Sequence, residues 1–349
     1  MKKLAFAVSP SLLAAMALMG CGGGGTPPAA VAPPAATTPA VAQPQILFEG
    51  PGVPGTVSSQ ELFTANLDGS HVVQVTNDGL NKFLAHFSPD GTRLVYTKFV
   101  AGKFGDLAPT SDIFLYTFAT ATETRLTNTG IAFQPAWSPD GLHIAYGNYA
   151  GTTLYSMNAD GSGQQTIGQP TGQPDDVVWH DTAWASDNWI YFVVKQTTND
   201  CFKVRLDKIR PDGTSRTQVS GGGTGCTPPG VEPYGDADPG ISADGQTVYS
   251  SRGLAPLPAD SRQTLRHLYA YASGPYAPGK VEYDISAAMK PDCTVGVPKG
   301  SPDGTQILVF LFCPDDQQHV GVTLTNLTGT TWTFLSIGFG PDWNPATKP

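Results

Sequence analysis

Acidic side chains and one histidine pair carry most of the chemical potential of this chain. His180 and Asp181 are the only adjacent acid–base pair, with Asp175 and Asp176 close before them. Asp236, Asp238, Asp342 and Asn81 are further oxygen donors in short polar stretches. Gathered together, such carboxylates could bind Ca²⁺, a hard cation that takes six to eight oxygens. No ordered calcium-loop spacing is present, and turn formation and solvation account for most of these aspartates. No metal or other cofactor is therefore assigned. Catalysis is not assigned to any residue either, because the His180–Asp181 pair lacks a nearby candidate nucleophile. The remaining histidines show no metal-binding spacing; His86 and His143 alternate with strand apolars and read as exposed sheet residues.

Cysteine usage points to an oxidising compartment. After Cys21, four cysteines remain: Cys201, Cys226, Cys293 and Cys313. An even number in an exported chain suggests disulfides. Of three connectivities, the local one is preferred, 201 with 226 and 293 with 313; free buried cysteines are the alternative. The second pair would tie the edges of neighbouring strands.

Export itself is read from the first residues. Met1-Lys2-Lys3 is followed by an apolar stretch from Leu4 to Met19, short for a membrane span and typical of a signal peptide. Leu18-Met19-Gly20-Cys21 resembles the lipobox of bacterial lipoproteins. That resemblance implies a signal peptide over 1–20 and a lipid on Cys21. It implies the outer membrane, facing the periplasm, if the envelope is Gram-negative. Several acyl chains on one residue make a stable anchor. Residues 21–44 are rich in Gly, Pro and Ala, cannot build a core, and read as an extended tether of roughly 3 Å per residue.

The elements that must position the acids are read from an internal repeat. Phe87-Ser88-Pro89-Asp90-Gly91 recurs as Trp137-Ser138-Pro139-Asp140-Gly141, as Ile241-Ser242-Ala243-Asp244-Gly245 and as Gly300-Ser301-Pro302-Asp303-Gly304. Trp184-Ala185-Ser186-Asp187-Asn188 is a degraded copy. The aspartates lie 50, 47, 57 and 59 residues apart, a period that fits one four-stranded sheet per repeat. Each copy is a turn: proline presets φ, aspartate bonds to local backbone, and glycine accepts positive φ. Alternating apolar residues on both sides are strands. The 40 glycines, 31 prolines and 40% hydrophobic residues agree with many short strands and many turns.

These motifs resemble the TolB-type (WD40-like) β-propeller repeat over residues 45–349. The resemblance implies an all-β, six-bladed β-propeller. The echo of the repeat at Gly340-Pro341-Asp342-Trp343 and the strand-like Ile46-Leu47-Phe48-Glu49 supply the two halves of a last blade, closed by strands from both chain termini. Phe87, Trp137, Trp184 and Trp343 would pack between blades, each worth roughly 3–5 kcal/mol. Losing the last ten residues would destabilise the ring. In a propeller the loops converge on a central channel, so His180, Asp181, Asp236, Asp238 and Asp342 become candidates for ligand or partner binding at its mouth.

Function follows from composition and resemblance together. The net charge of −9 and the lack of a basic patch exclude nucleic acid as a partner. Sialidase boxes, a Gly-x-Ser-x-Gly elbow and a P-loop are all missing. The family's namesake binds other envelope proteins and carries a separate N-terminal α/β domain that has no counterpart here. The expectation is a non-enzymatic, lipid-anchored envelope protein that binds a protein or peptide partner, a basic segment suiting an acidic mouth. The alternative is a lyase or hydrolase acting on polysaccharide or peptide at the channel.

Overall fold

A computed structural model describes residues 44–51, 59–102, 109–148, 153–168, 176–178, 181–198, 201–222, 227, 234–257, 260–287, 289, 293–313 and 320–347. Signal, tether, Cys21, Asp175, His180 and Cys226 lie outside the described residues, as do the side chains of Asp176 and Cys201. Every described element is a strand, and no helix occurs among the described residues.

Local chemistry sets the turns. In four copies the serine hydroxyl accepts the N–H of the residue five places on: Ser88 from Arg93, Ser138 from His143, Ser242 from Thr247 and Ser301 from Gln306. The same hydroxyl donates to the turn aspartate at 2.5–2.6 Å. Gly91, Gly141, Gly245 and Gly304 all have φ near +70°. In the degraded copy Ala185 takes the serine place and Asn188 adopts φ 62° where glycine stands elsewhere. Asparagine tolerates that region, so the turn survives the loss of both signature residues.

The described strands form four four-stranded sheets and one nine-stranded sheet, grouped below into units called blades. Blade 1 orders Phe339–Trp343, Ile46–Pro51, Gln60–Ala65 and Val73–Gln74. Blade 2 holds Asn81–Phe87, Arg93–Ala101, Thr110–Thr117 and Thr122–Arg125, and blade 3 holds Ala132–Trp137, His143–Asn148, Leu154–Asn158 and Gln165–Gly168. Blade 4 holds Ala183–Trp184, Ile190–Thr198, Cys201–Ile209 and Thr217–Gln218, with Asp176–Val178 also on its second strand. Blade 5 holds Gly235–Ile241, Thr247–Leu257, Asp260–Ala272 and Glu282–Asp284. Blade 6 holds Thr294–Gly300, Gln306–Phe312, Gly321–Asn326 and Trp332–Ser336. A single parallel bridge, Val204 to Gly235, joins blades 4 and 5 into one nine-stranded sheet.

The first strand of each blade contacts that of the next in an unbroken cycle. In blade 1 the two chain ends meet: Ile46 pairs with Trp343 and Leu47 with Asp342. The buried Asn344 adds to that seam, donating from its side chain to the Pro44 carbonyl.

Two devices hold neighbouring elements. The indole N–H of Trp137 donates to the His86 carbonyl of blade 2 at 3.3 Å, and that of Trp343 to the Lys299 carbonyl of blade 6 at 2.9 Å. Both rings are buried. Trp184 differs: it is half-buried and bonds Asn188 of its own turn. Within blades, a hydroxyl after the outer strand accepts an N–H from the third strand: Thr76 from Leu62, Thr127 from Ile113, Ser220 from Leu206 and Ser286 from Leu268. Cys293 and Cys313 form a disulfide across the open end of the first strand pair of blade 6.

Candidate functional site: the central channel

Each blade has one residue with φ between +46° and +67° in its first strand or, in blade 4, just before it: Leu84, Gln134, Asp181, Asp238, Val297 and Gly340. From Leu84 to Val297 their spacing is 50, 47, 57 and 59, the spacing of the turn aspartates. Register shifts mark the same place in blades 2, 3, 5 and 6, so the residue is a bulge. A bulge re-aims a side chain and frees its amide from the ladder. Five of these six side chains surround a residual space of only about 20 Å³, room for about one water.

The ring is partly self-satisfying. The Gln134 side-chain carbonyl accepts the Asp181 amide, and the Asp181 carboxylate accepts the Asp238 amide at 3.5 Å. The Asp238 carboxylate in turn faces the Val297 amide and accepts the Ser251 hydroxyl at 2.5 Å. So these ring aspartates have a structural task as amide acceptors between blades. Gly340 has no side chain to offer; a Cβ there would lie 2.5 Å from a Glu49 carboxyl oxygen. Glu49 fills that place, 1% exposed, with neither oxygen completing a hydrogen bond. Burial pushes its pKa up to about 8, although the amides of Leu84 and Ala85 pull the other way.

The wall has two characters. Leu84 and Val297 join Phe83, Phe99 and Phe133 in one apolar cluster, with Phe339 packed against it. Phe83 stacks on Phe133 and Phe339 at 5.4 and 5.7 Å. Opposite, Asp181 and Asp238 face each other; burial first, then the Asp181 charge, raises the Asp238 pKa, while Arg266 and Ser251 oppose the rise.

Two residues further along each strand the channel opens into a funnel of about 430 Å³. His86, Lys299 and Asp342 stand at its base. His86 Nδ1 lies 3.5 Å from Asp342, whose other oxygen accepts the Phe87 amide at 2.9 Å. Burial holds Lys299 below the usual lysine range, against the pull of Asp342, Asp238 and Asp181. Burial and the Lys299 charge likewise lower the His86 pKa, with Asp342 opposing them.

Three sequence expectations are corrected here. Asp236 does not face the channel: it is fully buried within blade 5, held by Nε and Nη2 of Arg252 at 2.7 and 2.9 Å and by Ser250. The bulge is the reason: regular alternation would put residues two apart on one face, but the irregularity at Asp238 turns that side chain inward and leaves Asp236 within the blade. His86 is not an exposed sheet residue but lines the funnel with 13% of its side chain exposed. The mouth is not simply acidic, because Lys299 sits among the acids. Asp181, Asp238 and Asp342 do gather around the channel. Lys299, Gln134 and Glu49 were missed; aligning the repeats on the turn aspartates would have found the first two. Among the described residues no group of three or more His, Cys, Asp or Glu side chains could hold a metal ion.

A cycle of four-stranded sheets around a channel, with a bulge and a polar turn in each, defines a β-propeller. No family model matches the chain. A TolB homolog of Chlorobaculum tepidum is 26% identical over 117 residues, 33% of this chain and 25% of the relative. That match spans only about a quarter of the relative's length. TolB from Acinetobacter baumannii superposes with a TM-score of 0.61 at 14% identity, covering 86% of this chain and 66% of that one. An oligogalacturonate lyase from Vibrio parahaemolyticus reaches 0.50 at 13% identity, covering 76% and 72%. These likenesses show the fold: the chain is a β-propeller similar to those of TolB proteins.

Proposed function

We propose that this protein is a non-enzymatic component of the bacterial cell envelope that docks a segment of a protein partner in the funnel of a closed, six-bladed ring. The carrying observation is the make-up of that funnel. Every blade contributes to it: Pro89, Pro139, Trp184, Pro239, Pro302 and Pro345 stand on six different blades. A rigid apolar rim of this kind can seat an extended chain at little ordering cost. His86, Lys299 and Asp342 at the base offer both signs of charge for orientation. A partner segment with an apolar anchor and mixed charge fits this surface better than a purely basic one.

Residues 1–20 act as the signal peptide, Cys21 carries the lipid and residues up to 44 form the tether. In a Gram-negative cell this places the protein at the outer membrane, facing the periplasm. The TolB-type relatives support an envelope setting. The lyase alternative is weakened because Asp236, which would have to meet Asp238, is committed to Arg252.

In-cell crosslinking from a photoreactive residue at Pro139, followed by mass spectrometry, tests the proposal. One specific protein neighbour, lost when the probe is moved to the outer strand at Thr124, is expected. Equal labelling from both positions overturns the funnel as the docking site. Cys21→Ser tests the anchor: undiminished membrane retention would count against lipidation.

A further inference from the structure

Three blades carry an aromatic ring at one register position of the third strand: Phe114 opposite Tyr96, Tyr155 opposite Tyr146, and Tyr269 opposite Ser250. In blade 2 the Lys98 ammonium stands 4.7 Å from the Phe114 ring centre and pairs with Glu123. In blade 5 the Arg252 guanidinium stands 4.2 Å from the Tyr269 ring centre and pairs with Glu282. The register equates Lys98 and Arg252 with Asn148 of blade 3, and Glu123 and Glu282 with Gln164. Blade 3 has therefore exchanged both members of the ion pair for neutral amides. The consequence is a cavity of about 150 Å³ where the other two blades have a cation on the ring.

Tyr155 forms one side of this cavity. It is half-buried and stacks on the buried Tyr146 with centroids 5.2 Å apart and planes 16° from parallel. Asn148, Gln164 and Gln165 and the hydroxyls of Thr129 and Thr166 supply the polar lining, and none of the described lining residues is charged. Burial, then Tyr155 and Asp112, push the Tyr146 pKa up to about 12, so Tyr146 stays neutral too.

We propose that this groove binds the ring of a neutral pyranose sugar. A sugar ring presents a C–H face that suits an aromatic plate and a rim of hydroxyls that both donate and accept. Amide side chains answer both roles from one group. Among the described lining residues a cation would find no carboxylate, and an anion no lysine or arginine. A purely apolar ligand would strip water from the amides without replacing the lost hydrogen bonds. The volume is about half the roughly 300 Å³ at which drug-sized sites begin, which suits a single ring. The groove is lined by none of the funnel residues, so the two sites can fail independently.

Saturation-transfer NMR on the full chain with methyl β-glucopyranoside and methyl β-galactopyranoside tests the assignment, with choline as the cationic control. Transfer to at least one glycoside is expected, and Tyr155→Ala should weaken binding about tenfold or more. A double variant, Asn148→Lys with Gln164→Glu, rebuilds the blade 2 arrangement and should abolish transfer while leaving the fold intact. Should Tyr155→Ala fail to fold, the double variant decides alone. Absence of transfer from both glycosides, transfer that persists in the double variant, or displacement by choline overturns the proposal.

Discussion

Blades 2 and 3 follow one another in sequence and share one strand plan, yet they treat the same aromatic position in opposite ways. Blade 2 seals it with charge. Lys98 binds Asp78 and Glu123, Tyr96 donates to Glu123, and Arg125 pairs with the buried Asp112. Burial alone would lower the Lys98 pKa, but Asp78 and Glu123 outweigh it and hold lysine above its ordinary value. Blade 3 replaces the ions with amides and leaves a cavity. A repeat protein can thus keep its backbone constant while changing a groove from filled to open by exchanging side chains at two equivalent positions. Glu49 marks a third state, a buried carboxyl with no hydrogen-bond partner among the described residues.

The largest effect is expected where blade 2's ions are most deeply committed. Asp112 is fully buried and accepts from Thr127, the Thr129 amide and Arg125. Asp112→Ala should cost about 3–5 kcal/mol, read as a lower denaturation midpoint, because these donors and the Gly130 amide lose their acceptor. If the loss is under about 1 kcal/mol, charge does not hold blade 2 together.

Glu49 gives the next effect, and it depends on pH. Its pKa is about 8 in the folded state against an ordinary 4.5. The folded protein therefore keeps a proton that the unfolded chain releases across that window. Stability should fall as pH rises from 4.5 through about 8. Glu49→Gln should remove that loss, with a gain on the order of 3 kcal/mol near roughly pH 9 and little gain near roughly pH 5. Parallel stability–pH curves for the two proteins would sink the assignment.

A smaller effect tests whether blade 2 can be opened. Lys98→Asn should cost about 2 kcal/mol by leaving Asp78 and Glu123 without their shared cation. Adding Glu123→Gln should recover part of that cost, since both partners are then neutral. Strict additivity of the two substitutions would show that the pair is not coupled.

The reverse exchange in blade 3 should be the mildest. Asn148→Lys with Gln164→Glu places a cation at a buried position facing the cavity beside an acid at an exposed one, and stability should change by about 1 kcal/mol or less. A large loss would mean that the open groove has packing that the blade 2 pattern cannot accept.

Much of the architecture was legible in the chain because its turns are local events. Ser88, Asp90 and Gly91 make their signature bonds within five residues, so the motif and its spacing could be read directly. The disulfide pair Cys293 and Cys313 was likewise near in sequence and lay at matching strand ends. The degraded copy at Trp184 was legible only in part. Asn188 takes the glycine's conformation, and the Trp184 ring still packs against the cluster shared by blades 3 and 4, but its indole N–H bonds within its own turn instead of reaching the neighbouring blade.

Sequence by itself determined the strand content, the repeat period and the presence of aspartates near each first strand, because these follow from alternation and turn chemistry over a few residues. Only tertiary structure decided which acids share the channel. Asp236 and Asp238 are two places apart, yet a bulge sends one to Arg252 and the other to Asp181. It also decided that Lys299 and Glu49, about 250 residues apart in the chain, belong near one axis, and that one groove of three stands open. Those outcomes depend on side chains from different blades meeting across space, and no run of neighbouring residues contains that information.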